Sequence, residues 1–199
     1  MRLFMSTGSP FVRKCRVVIR EKGLAGRVEE QLVDFPYKTD PALLAANPIG
    51  QVPALIADDG QVFTDSAVIC AYLDELSGGE RLLPPSGADH WRVRRTETLA
   101  DGVLEMTVKL VLENRRPDGE KSPTWIGYWR QGLDLALDAL ETLDLAAEPL
   151  DLGAITAGIA VTYLDFRFPD HGWRETHPRL AGLQRTLEAR PSFTETYPR

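Results

Sequence analysis

No stretch of this 199-residue sequence approaches the roughly 20 consecutive apolar residues that a membrane-spanning helix needs, so membrane insertion is not expected. The opening residues, Met1-Arg2-Leu3-Phe4-Met5-Ser6, lack the apolar run and cleavage site of a secretory signal, and the chain reads as cytoplasmic. Cysteine is scarce. Cys15 and Cys70 are the only two, and they make neither a CxxC redox pair nor a metal-ligand set. The three histidines, His90, His171 and His177, are scattered, which leaves no spacing for structural zinc. Positive charge is not in excess either. With 23 Lys and Arg against 29 Asp and Glu, the net charge of −6 argues against a nucleic-acid partner. What is present is an ordinary globular composition, 43% hydrophobic, enough for one compact domain or two small ones.

The first 77 residues alternate β-like and helical patterns. Residues 2–5 read as a strand ended by the Ser6-Thr7-Gly8-Ser9 turn cluster. From Pro10 the apolar residues Val12, Cys15, Val18 and Ile19 make one helix face, and Lys22-Gly23 closes it. The basic residues Arg13, Lys14, Arg16, Arg20 and Lys22 read as its solvated side. Residues 28–33 form a second strand and residues 42–46 a short helix. Residues 52–57 and 61–64 then form a hairpin turning on Asp58-Asp59-Gly60. Asp65-Ser66 opens a helix with Ile69, Cys70, Leu73 and Leu76 on one face.

A linker over residues 78–88, rich in Gly and Pro, leads to a region without strand signals. There residues 89–115, a segment opened by Ser122-Pro123, residues 153–166 and a segment from Pro178 to before Pro191 read as helices. The expected architecture is an α/β domain over residues 1–77, a linker over 78–88, and an all-helical domain over 89–199.

Three segments carry possible chemistry. Ser9 stands where a strand ends and a helix begins. Its hydroxyl, beside unpaired N–H groups and the positive helix end, suits a nearby anion. Capping alone also accounts for it, and Ser122-Pro123 repeats the pattern where no chemistry is expected. Val52-Pro53 suits an edge or a cis turn, which would leave the Val52 backbone free to pair with an extended peptide-like ligand; a tight bend alone is the plainer account. Asp65-Ser66 offers helix N–H groups for a carboxylate and a side chain for an ammonium, the two ends of an α-amino acid, or simply a cap.

Taken together, S-P-F at 9–11, N-P-I-G-Q-V-P-A-L at 47–55 and Asp65-Ser66 resemble the glutathione S-transferase family over almost the whole chain. The helical half also matches in size and helix order, and residues 160–167, A-V-T-Y-L-D-F-R, resemble a stretch of its buried helix. The resemblance implies a thioredoxin-like first domain and an all-α second one. It also implies roles. Ser9 would hydrogen-bond the glutathione sulfur and favour the thiolate. Val52 would pair its backbone with the cysteinyl part beside a cis Pro53. Asp65 and Ser66 would hold the γ-glutamyl ammonium and carboxylate. Phe11 would line the thiol, and Gln51 and Lys38 would approach the glycyl carboxylate.

Glutathione is then a co-substrate, with no further cofactor or metal, and the second substrate a hydrophobic electrophile held between the domains. A homodimer is implied as well. Two other functions fit the same resemblance, a non-catalytic binding protein in stress or regulation, and a glutathione-dependent isomerase. Serine at position 9 in place of cysteine cannot form a mixed disulfide, which disfavours glutaredoxin-like reduction. Ala154 stands where the family carries a second acid in the cap of a buried helix, so the reciprocal capping box is lost. Cys15 reads as a small core residue, and Glu113, Arg115 and Arg116 as a surface ion-pair group.

Overall fold

The computed structural model describes residues 1–34 and 40–199. It divides into two compact units, Met1–Leu83 with Arg190–Arg199, and Pro84–Ala189. The first contains β1 (Arg2–Met5), α1 (Pro10–Glu21), β2 (Glu29–Leu32), α2 (Pro41–Ala46), β3 (Ala54–Ile56), β4 (Val62–Thr64) and α3 (Ser66–Ser77). Its sheet runs β2-β1-β3-β4. β1 and β2 are parallel, joined through α1, while β3 is antiparallel to both β1 and β4. This is the thioredoxin-like arrangement that the sequence implied.

Apolar periodicity accounts for the packing. Val12, Cys15, Val18 and Ile19 of α1 are all buried, as are Ile69, Cys70 and Leu73 of α3. Leu76, assigned to the same α3 face, is instead exposed. Phe4, Val33, Leu43 and Ala54 form a separate buried cluster with Val52 and Ile56 against it.

The basic residues of α1 depart from expectation. Arg13 and Lys14 are buried, not solvated. Arg13 is covered by the C-terminal segment, which includes the short helix α8 (Pro191–Thr194). Arg13 Nη2 donates to the Phe193 carbonyl at 3.1 Å, and its guanidinium lies 5.4 Å from the centroid of the Phe193 ring and 5.5 Å from that of Tyr197. Arg190 pairs with Glu21 at 2.8 Å, and Ser192 donates to the same carboxylate. Arg16 and Arg20 pair with Glu30 at 2.8 and 2.9 Å. A charged helix face is therefore spent on salt links and on residues about 180 positions away, which no local pattern announces.

The connection after α3 is likewise anchored. Asp74, fully buried, accepts from the Leu82 and Leu83 N–H groups at 2.9 and 3.2 Å and pairs with Arg81 and Lys22 at 2.9 and 3.0 Å. The first unit accordingly extends to Leu83 and also takes in the last ten residues, where the sequence division had placed 78–88 as linker and 89–199 as one domain.

The second unit contains α4 (Gly87–Asn114), α5 (Pro123–Glu141), α6 (Leu152–Arg167) and α7 (Pro178–Glu188). α4 packs on both α5 and α6. Every residue of α6 from Leu152 to Leu164 is buried. Asp151 caps this helix by accepting from Ala154 N–H at 2.8 Å, and its second oxygen pairs with Arg92 at 3.0 Å. Arg92 thus occupies the cap residue's remaining oxygen where the capping-box acid is missing. Glu113 accepts from Ser122 N–H at 2.7 Å, fixing the start of α5. Among the described residues no helix is long and apolar enough to cross a membrane.

Candidate active site

Strand register decides which segments meet. Phe4, next to last in β1, faces Ala54, the first residue of β3, and Ala54 faces Thr64, the last of β4. Residues 6–9, 51–53 and 65–66 therefore all leave the sheet at one end.

Ser9 is the N-cap of α1, in extended backbone with φ −90° and ψ 122°. Its Oγ accepts from the Val12 N–H at 3.3 Å. A hydroxyl has one hydrogen and two lone pairs, so this bond leaves the hydrogen to donate. Among the described residues no protein acceptor takes it. Pro10 at the first helical position lacks an N–H that would otherwise point at the same space. Phe11 follows, half-buried.

Asn47 builds the approach to Val52. Its buried side chain accepts from Ile49 N–H at 3.2 Å and donates from Nδ2 to the Gln51 carbonyl at 2.9 Å. Gly50 turns the chain with φ +69°, a conformation a side chain resists, and donates to the Asn47 carbonyl at 2.8 Å. The Val52–Pro53 peptide bond is cis. Among the described residues nothing pairs with the Val52 N–H or C=O, and the Gln51 side chain is exposed. In the sequence Asn47 is one residue of a motif; its role as the brace of this turn is visible only in the structure.

Asp65 caps α3 by accepting from the Ala67 N–H at 2.8 Å. It does so at φ +69° and ψ 133°, and it is the one non-glycine residue with positive φ among those described. Strain of this kind typically costs about 1–3 kcal/mol, persists where the surroundings impose it, and concentrates at functional sites. Ser66, the first residue of α3, is buried, and among the described residues neither its hydroxyl nor its N–H has a protein partner. Donors at the positive end of α3, next to a carboxylate, form the pair of groups that an amino-acid zwitterion needs.

Ser9, Phe11, Gln51, Val52, Pro53, Asp65 and Ser66 are thus carried by three segments at one end of one sheet. Lys38 lies outside the described residues. No group of three or more metal-competent side chains occurs among the described residues. A cavity of about 400 Å³ lies wholly in the helical unit, over Leu110, Leu133, Leu164 and Phe168, and includes none of these seven residues.

Residues 3–81 match the family described as glutathione S-transferase, N-terminal domain. An uncharacterized GST-like protein of Escherichia coli, YibF, is 33% identical over all of this chain and 98% of its own. A crystal structure of a glutathione transferase family member from Pseudomonas fluorescens, with bound glutathione, is 38% identical. It superposes with a TM-score of 0.94 over 100% of this chain and 98% of that one. The maleylacetoacetate isomerase of Pseudomonas aeruginosa is 35% identical over 67% of this chain and 66% of its own.

Proposed function

Because the chain belongs to the glutathione S-transferase family, we propose that it binds glutathione at this end of the sheet and activates its thiol for attack on a hydrophobic electrophile. The observation that carries the reading is the convergence of three segments whose remaining hydrogen-bonding capacity matches the tripeptide. Asp65 takes the γ-glutamyl ammonium, and Ser66 its carboxylate. Val52 pairs as one strand with the cysteinyl unit, in the manner of strand addition. Gln51, with Lys38, approaches the glycyl carboxylate, and Phe11 flanks the sulfur. The Pseudomonas fluorescens relative holds glutathione, which supports the ligand.

Ser9 supplies the chemistry. Its cap bond to Val12 orients the oxygen, and its hydrogen donates to the glutathione sulfur. A free thiol ionises near pH 8.5, and lowering that by two units requires about 2.7 kcal/mol of thiolate stabilisation. A hydrogen bond to a charged acceptor provides about 1.5–3 kcal/mol, and the N-terminal end of α1 adds about 0.3–1 kcal/mol. The two together suffice. The nucleophile belongs to the substrate, and the protein holds it ionised and aimed.

The isomerase relative supports a second reading, glutathione-dependent isomerisation, in which the same thiolate adds to an unsaturated substrate and is expelled. A homodimer fits the exposed apolar residues Val68 and Leu76, eight positions apart on α3, and sedimentation tests it. A cytoplasmic location is part of the same proposal. Calorimetric titration with glutathione tests the site itself. Saturable binding is expected, and no heat at millimolar glutathione would remove the enzyme reading.

A further inference from the structure

Two cysteines so far without a role meet in the core of the first unit. Cys15 of α1 and Cys70 of α3 are both fully buried and unbridged, with their sulfurs 3.9 Å apart. The Cys70 thiol donates toward Cys15, and the Cys15 thiol toward the Ser66 carbonyl at 4.0 Å. Cys70 lies one helical turn beyond Ser66, so the sulfurs sit just beneath the start of α3.

We infer that Cys15 and Cys70 form an oxidisable dithiol, which a hydroperoxide converts to an intrachain disulfide fastening α1 to α3. One sulfur attacks the peroxide O–O bond, becoming a sulfenic acid and releasing water. The second sulfur attacks the first, the S–O bond breaks and a second water leaves. The balance is two thiols and one hydrogen peroxide to one disulfide and two waters. Peroxide is the class of oxidant that fits, because the sulfurs are sealed from bulky disulfides and a small neutral molecule can enter through local opening. Bonding needs the sulfurs to approach from 3.9 Å to about 2.05 Å, a movement of about 1.9 Å shared by side-chain rotation and helix shift. With the partner in van der Waals contact, a sulfenic acid on either sulfur is captured before further oxidation. The chain has no other cysteine to compete. The inference needs nothing from the glutathione reading.

The test is peroxide treatment of the native wild-type protein, then denaturation in N-ethylmaleimide and mass spectrometry. The expected result is loss of both alkylations, a linked pair of peptides containing Cys15 and Cys70, and recovery of both alkylations after dithiothreitol. Two alkylations after peroxide, a sulfinic acid on one cysteine beside a free second thiol, or a link between chains would overturn it. So would a disulfide that forms in urea but not in the native protein. Cys15→Ala and Cys70→Ala, treated with peroxide while folded, should each leave the remaining sulfur as a sulfenic acid that dimedone traps when added with denaturant after the peroxide is removed; no dimedone adduct in either variant would count against the mechanism.

Discussion

Of the aspartates that open helices in this protein, Asp151 and Asp65 do so under opposite terms. Asp151 caps α6 from relaxed extended backbone, φ −130°, with one oxygen on Ala154 N–H and the other on Arg92. Asp65 caps α3 at φ +69°, with one oxygen on Ala67 N–H and, among the described residues, no other side chain on its carboxylate. The first arrangement uses its hydrogen bonds to stabilise the fold. The second accepts strain and keeps capacity in reserve, next to a buried serine whose hydroxyl has no partner among the described residues. Ser9 and Ser122 make the same point more quietly. Each precedes a proline and caps its helix, at 3.3 and 3.4 Å, so the cap bond does not separate a catalytic candidate from a structural residue. What separates them is the sheet end from which Ser9 emerges.

The contrast can be broken most sharply at Asp65. Asp65→Ala removes a charge-assisted contact to the ammonium, about 1.5–3 kcal/mol, so glutathione affinity should fall about tenfold to a hundredfold by calorimetry. Unchanged affinity would remove Asp65 from the site. Asp151→Ala should do the reverse. Loss of the cap and of the Arg92 partner should lower stability by about 1–2 kcal/mol in urea unfolding, with glutathione affinity retained. A smaller effect separates strain from capping. Asp65→Gly loses only a few tenths of a kcal/mol as a cap and relieves the positive φ, so the variant should be as stable as wild type or about 1 kcal/mol more stable, yet bind glutathione poorly. A marked loss of stability would mean that the Asp65 backbone is not strained.

The smallest effect concerns the C-terminal segment. The hydrogen bond from Arg190 holds the Glu21 carboxyl below the usual carboxylate range; burial opposes this, and the Ser192 hydroxyl reinforces it. A carboxyl whose folded-state pKa is depressed contributes stability at neutral pH and loses it as pH falls through that value. The difference in thermal midpoint between wild type and Glu21→Gln should therefore be present at pH 7 and shrink below about pH 4. A difference independent of pH would assign the contribution to packing.

Much of the first unit was legible because its signals are local. Pro10 after Ser9 states a helix start, Pro53 after Val52 a turn or edge, and Asp65 before an apolar helix face a helix cap, and the structure adopts them. The apolar spacing of Val12, Cys15, Val18 and Ile19 likewise named the buried face of α1. The failures are all tertiary. Arg13 looks like a solvent-facing residue until the last ten residues of the chain fold over it, and Lys14 is buried as well. The reciprocal capping box is absent at Ala154 as read, but the pairing of Asp151 with Arg92 of another helix was not legible. The 3.9 Å approach of Cys15 and Cys70 joins positions 55 apart, which spacing alone could not reveal. In the site, residue types and turns were readable, whereas the positive φ of Asp65 and the brace formed by Asn47 depend on coordinates.

The central claim is that Ser9 holds glutathione as a thiolate, and ultraviolet difference absorbance of the bound thiol measures it directly. The wild-type complex should show the thiolate band at neutral pH. Ser9→Ala should bind glutathione and lose the band. A band of equal strength in both proteins, or none in the wild-type complex, would contradict the account and leave Ser9 as a helix cap and nothing more.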